Sequence, residues 1–185
     1  QQALTHSSWE APHFIENSNT KHLDLVLRCT QEISNKSQNV VEGLELLARN
    51  NGVEPEFLEI GKQTWEEATS ETITLLKKLV EDEKFHPSQI TLLVPHGSDI
   101  KEIKNAKYSN TKSIEGLGVN VSSVFQFKGL ENDIVVLLIP NFQSLEATYT
   151  RNPLNLVYVG ISRAKYLLYV VGSGEVKKLI NWDKS

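Results

Sequence analysis

The sequence predicts an α/β fold, a mainly parallel sheet with helices on both faces. Three observations lead there. The runs ITLLVP (90–95), DIVVLLIP (133–140) and YLLYVVGS (166–173) are apolar at almost every position, the pattern of strands buried on both faces. Segments with helical apolar spacing lie between them. The chain has 185 residues, 39% apolar and 23% charged, which suits one well-packed domain.

Residues 1–22 are polar and weakly periodic, and read as an N-terminal arm or linker to a domain spanning 23–185. The apolar patch LDLVL (23–27) precedes Arg28. Ile33, Val40, Val41, Leu44 and Leu47 then form one helical stripe, with Asn50, Asn51 and Gly52 as its stop signal. EPEFLEI reads as a short strand ending near Ile60. Thr64 and Glu67 have the spacing of a capping box, and Ala68, Ile73, Leu76, Leu79 and Val80 give the helix after it an apolar face. After ITLLVP, residues 96–118 are polar and read as a surface insertion or loop. VNVSSVF (119–125) and DIVVLLIP are the next strands. A loop leads into a helix from about Pro153 to Lys165, then YLLYVVGS, and GEVKKLINW closes the chain as a short amphipathic helix.

Composition narrows the function classes. A net charge of −4 gives no whole-chain attraction to nucleic acid, although a local basic patch would suffice for binding. The single cysteine, Cys29, cannot form an internal disulfide, which fits a reducing, cytoplasmic setting. No apolar run reaches membrane-spanning length, so no membrane partner is expected. No signal peptide is visible, and the absence of methionine suggests a processed chain or an excised fragment. The five histidines lack metal-site spacing, and no metal site is expected. There is no GxSxG nucleophile elbow, and the acids are too scattered to anchor a glycosidase or two-metal reading.

Gly61–Lys62–Gln63 invites comparison with a phosphate-binding loop, which needs GxxxxGK[ST]. Position 56 is glutamate instead of glycine, and Gln63 replaces the magnesium-binding hydroxyl, so the segment reads as a turn. FQFKGLEND (125–133) is more suggestive. Gly129 permits a tight backbone path, Lys128 can meet a phosphate, and Glu131 can accept hydrogen bonds from a ribose or a basic side chain. From composition alone, a solvated loop whose charges keep it wet is the simpler reading. In YVGISRAK (158–165), Arg163 stands among packing residues, either projecting towards a neighbour's phosphate or paired within its own domain.

Taken together, VSSVFQFKGLENDIVVLL and NLVYVGISRAKYLLYVV resemble the last two motifs, V and VI, of superfamily 1 DNA helicases of the UvrD/Rep/PcrA type. The resemblance implies a RecA-like three-layer domain, the C-terminal of two between which ATP is bound. It implies that Arg163, and Arg28 as the motif IV arginine, reach the ATP phosphates as catalytic arginines. It places Glu131, with Lys128 and Gly129, beside the nucleotide, and Ser123 and Gln126 against single-stranded DNA. ATP and Mg2+ would be held mainly by an N-terminal P-loop RecA-like domain, which this sequence lacks. The chain would then be half of an ATPase, inactive alone and binding no cofactor tightly.

Departures from the family pattern are visible as well. Phe125 stands where many members carry histidine, and Ser162 where threonine is common. Asn155 lies where an acid and arginine pattern often precedes YVG, and the large inserted subdomain of many members is missing. These leave a second expectation, a degenerate helicase-like domain kept as a protein-interaction or nucleic-acid-binding module.

Overall fold

A computed structural model of the chain describes residues 25–26, 29–41, 47–48, 50–105, 114–145 and 152–184. The arm at 1–22 and Arg28 lie outside these residues.

Five parallel strands form the main sheet: β3 (Glu56–Ile60), β4 (Ile90–Val94), β5 (Asn120–Ser123), β6 (Asn132–Ile139) and β7 (Ala164–Ser173). Their order is β3-β7-β6-β4-β5. All five strand expectations are borne out, as is the α/β class with helices on both faces. Strand periodicity explains the two cores. Along β6, Val135, Leu137 and Ile139 enter one core with Ile33, Val124, Phe127, Val157 and Ile161, while Ile134, Val136 and Leu138 enter the other with Ala68, Ile73, Leu76 and Leu117. A strand buried on both sides has no polar face, hence the continuous apolar runs.

The first core is covered by α1 (Gln31–Val40), α4 (Pro153–Ile161) and α5 (Gly174–Leu179), and the second by α2 (Trp65–Lys77) and α3 (Asp99–Asn105). The capping box expectation at α2 is half met: Thr64 Oγ1 accepts from the Glu67 N–H at 3.3 Å, but the Glu67 carboxylate accepts from the Lys62 N–H and not from that of Thr64. That carboxylate occupies the backbone donor a phosphate would need, so the Gly61–Lys62 turn is closed to anions by its own chain.

Three local expectations are corrected. The stripe from Ile33 to Leu47 is not one helix. Val41 is already extended (φ −125°, ψ 111°), and Leu47–Ala48 is a strand, β2, paired in parallel with β1 (Leu25–Val26). Pairing with a distant segment overrides weak helical spacing here. The Asn50–Gly52 stop therefore serves the other end of α1: the Gln31 N–H donates to Asn50 O at 2.8 Å, and the Gly52 N–H to Glu32 Oε2 at 2.6 Å. A Cβ on Gly52 would sit 2.4 Å from Thr30 Cγ2, so only glycine allows that return.

Residues 96–118 are not merely a surface insertion. They contain α3 and a 3-10 turn at Ile114–Leu117, and Ile103, Ile114 and Leu117 are buried in the second core. Finally, α4 stops at Ile161 instead of reaching Lys165, because Ala164 already pairs with Asn132 in the β6–β7 ladder. Arg163 is left as a hinge residue between helix and strand.

Candidate functional site

The loop from β5 to β6, residues 124–131, sets the geometry. Both strands run parallel to β4, so the end of β5 and the start of β6 lie at opposite ends of the sheet. Ser123 aligns with Val94 and Ile134 with Ile90, four residues apart, or about 13 Å along the strands. The crossover spans that distance as consecutive turns, pinned to the first core by Val124 and Phe127.

At the β5 end, Ser123 is 1% exposed and its hydroxyl opens the crossover. Ser123 Oγ accepts from the Gln126 N–H at 3.3 Å and donates to Gln126 Oε1 at 3.2 Å, while Ser123 O accepts from the Phe127 N–H at 3.0 Å. Ser123 therefore holds the turn, and Gln126 is the side chain presented to solvent. Phe125 lies beside it, stacked on His96 from the end of β4, with ring centroids 6.0 Å apart and planes at 28°.

Asp99, at the start of α3, braces the His96 loop by accepting from the His96 N–H at 2.8 Å. Burial pushes the Asp99 carboxyl above its ordinary value, partly offset by the hydrogen bond from the His96 backbone. A raised folded-state pKa makes this group's stabilising contribution complete below the unfolded pKa, and that contribution is lost as pH rises through the folded value. Asp99→Asn keeps an oxygen for the His96 N–H. Urea unfolding across the acid range should show that loss flattened in the variant, with neutral-pH stability equal or higher. Lower stability at neutral pH would show instead that the charge itself is needed.

At the β6 end, Lys128, Gly129, Leu130 and Glu131 are exposed, and Gly129 adopts φ +87°, a left-handed conformation that L side chains disfavour. Glu131 forms an ion pair with Lys165 at 3.2 Å. Arg163 lies next to them, and its side chain does not project outwards as one sequence reading had it. It is 0% exposed: Nε donates to Val159 O at 3.0 Å, one terminal nitrogen to Leu130 O at 3.1 Å, and the other to Ser162 Oγ at 3.1 Å. Its own carbonyl accepts from the Asn132 N–H at 3.1 Å. Arg163 thus ties the end of the crossover to the last turn of α4.

A register shift between the Asn132 and Ile134 pairings sets three residue steps of β7 against two of β6, forming a bulge at Lys165–Tyr166. Tyr166 is 58% exposed there, and Leu130, at the adjoining crossover end, 56%. The sequence reading did not single out Tyr166 or His96. A bulge is a property of strand pairing, and the His96–Phe125 contact joins residues 29 positions apart, so neither left a local signal.

The structure therefore brings Lys128, Gly129, Glu131 and Arg163 to one end of the sheet and sets Ser123 and Gln126 at the other. Arg28 lies outside the described residues. Among those residues, no group of three or more histidine, cysteine or acidic side chains could hold a metal ion, and no helix is long and apolar enough to cross a membrane.

Comparison with known proteins bears on the motif segment and on the fold. Residues 118–171, which carry both motifs, match the family model of the UvrD-like helicase C-terminal domain. The crystal structure of the C-terminal domain of a possible DNA helicase from Lactobacillus plantarum WCFS1 superposes with a TM-score of 0.60. It is 19% identical, over 83% of this chain and 91% of that one, and establishes the likeness of fold. The PRRSV helicase structure aligns at a TM-score of 0.42 and 15% identity, over 81% of this chain and 23% of that one, too distant to bear on the fold. No curated protein matches the chain.

Proposed function

We propose that this chain is the C-terminal RecA-like half of an ATP-dependent DNA helicase or translocase, completed by an N-terminal P-loop domain. The crossover carries the proposal. Within the segment similar to UvrD-like domains, one eight-residue connection links the expected strand-gripping end, Ser123 and Gln126, to the expected nucleotide end, Glu131 and Arg163. Phe127, 5% exposed, packs the middle of this connection against the first core.

The chain's own residues set the terms of nucleotide binding. Glu131 would turn from Lys165 to a ribose hydroxyl, and Lys128 and Lys165 would face phosphates. Arg163, with Arg28 as a second phosphate contact, would exchange Leu130 O, Val159 O and Ser162 Oγ for phosphate oxygens. That exchange releases the end of the crossover, a direct link between phosphate contact and DNA grip. ATP and Mg2+ would supply the phosphoryl chemistry from the P-loop domain, against which the exposed Leu130 and Tyr166 would pack. The single cysteine fits a cytoplasmic setting.

The inward bonds of Arg163 favour one alternative, a helicase-like module in which this arginine is purely structural and the domain binds a protein or nucleic acid without turnover. ATP hydrolysis with and without single-stranded DNA separates the two, using the chain alone and joined to its P-loop domain. DNA-stimulated hydrolysis in the joined protein alone supports the motor. A joined protein that never hydrolyses ATP leaves the module reading.

A further inference from the structure

We propose that Asn132 is a positioning residue, a pivot that holds the main chain of Glu131 and Arg163 in register with β4 while the Arg163 guanidinium changes partners. This rests on the nucleotide role proposed above for Glu131 and Arg163.

The Asn132 side chain carries the inference. Asparagine is depleted in strands, yet it is the first residue of β6, the middle strand of the sheet. Its amide is fully engaged. Nδ2 donates to Ser88 O at 3.0 Å and to Thr91 Oγ1 at 2.9 Å, and Oδ1 accepts from the Asp133 N–H at 2.8 Å. Two hydrogens and two acceptors match, so the fork is satisfied. Thr91 is 0% exposed within β4, and Ser88 lies in the 3-10 turn Pro87–Gln89 that leads into that strand. The turn is braced in its own right. The Ser88 N–H donates to His86 Nδ1 at 3.3 Å, the His86 N–H to Gln89 Oε1 at 3.1 Å, and Gln89 Nε2 to Asp133 Oδ2 at 3.2 Å. Asn132 is thus anchored on residues 41 and 44 positions upstream.

The anchored residue faces the nucleotide end. Its N–H donates to Arg163 O at 3.1 Å, and the residue before it, Glu131, is the one paired with Lys165. A guanidinium turning to a phosphate would give up Leu130 O, Val159 O and Ser162 Oγ. The bond from Asn132 survives that exchange, because it uses the arginine's carbonyl and none of its side chain. It also lies just before the Lys165–Tyr166 bulge, where the β6–β7 ladder is interrupted and holds this end less firmly. Pinned to β4, Asn132 lets the guanidinium swing while Glu131 and the Arg163 main chain keep their places. Groups fixed beforehand spare a ligand the work of ordering them.

Steady-state ATP turnover of the chain joined to its P-loop domain, with saturating oligothymidylate, separates positioning from folding. A purely structural side chain changes the amount of folded protein, and so the apparent kcat, but leaves KM unmoved. A pivot moves KM, because the ribose contact of Glu131 is made in ground and transition states alike. Asn132→Ala should raise KM for ATP about tenfold, the effect of losing a hydrogen bond to a charged group. The Thr91 variants supply the rescue, and carry the test if Asn132→Ala does not fold. Thr91→Val keeps the shape, loses the acceptor and should raise KM about threefold. Thr91→Ser loses a buried methyl and some stability, but keeps the hydroxyl and the parent's KM. Glu131→Ala reports on the nucleotide reading itself.

An unchanged KM in Asn132→Ala, where Glu131→Ala raises it, overturns the pivot and leaves the nucleotide end standing. Equal rises in Thr91→Val and Thr91→Ser trace the effect to packing instead of the hydroxyl, and overturn the pivot as well. A joined protein whose KM none of these variants moves, or one that never hydrolyses ATP, removes the nucleotide reading and this inference with it.

Discussion

Arg163→Ala is expected to destabilise the isolated domain by about 3 kcal/mol, before any ATP is present. The guanidinium is fully enclosed and serves Val159 O, Leu130 O and Ser162 Oγ at once. Truncation leaves a cavity and removes donors from one buried and two half-buried acceptors, a buried loss being about 1–3 kcal/mol and the others less. Relief of the buried charge's desolvation opposes this. The losses win because the cavity is fully enclosed and, although Val159 O keeps the Ser162 hydroxyl at 2.9 Å, the link from α4 to Leu130 O goes with the guanidinium. Arg163→Lys retains the charge, but a single ammonium cannot span the same acceptors, so it should recover part of the stability. Urea midpoints of the three chains check this, and an Arg163→Ala midpoint equal to the parent's would refute the tie between crossover and α4.

The same pair of variants divides structure from catalysis in the joined protein. Assayed well below its unfolding temperature, an arginine that stabilises developing phosphate charge should lose about 10³-fold or more of ATP turnover on conversion to lysine. A structural arginine should lose turnover only as far as it loses folded protein. Turnover per folded molecule decides between them.

Gly172→Val is expected to cost about 3 kcal/mol and to act through backbone separation. Gly172 pairs with Ile139 on one side and Glu59 on the other, near the end of the interior strand β7. An added Cβ would lie 2.6 Å from Ile139 O and 3.3 Å from the Phe57 ring. A main-chain oxygen in a paired strand cannot rotate away, so β6 and β7 must part or shift. Asn132 and Ala164 pair at the other end of these strands, about 26 Å away, so the loosening should be greatest around Ile139 and fade towards the nucleotide end. Hydrogen exchange of the β6 amides measures this gradient, and protection equal to the parent's would show that the sheet absorbs the side chain.

The sequence determined the strands most firmly. Each buried strand of a parallel sheet must be apolar on two faces, so β4, β6 and β7 announced themselves in single runs. The motif residues were legible only through their resemblance to a family pattern; by themselves the charges of KGLEND read more simply as a solvated loop. The Thr64 cap was equally local, requiring only a hydroxyl and the third amide after it.

What the sequence could not determine depended on partners far along the chain. Leu47 reads as helical until Leu25–Val26 pairs with its strand, and the Asn50–Gly52 stop caps a helix that began twenty residues earlier. Arg163 reads as a projecting arginine until the Leu130 carbonyl turns it inwards. His96 carries no signal until Phe125 lies over it. Local rules of backbone and burial are written in neighbouring residues. The direction of a long side chain and the partner of a short strand are set by whichever distant groups satisfy them, and only the tertiary structure brings those groups together.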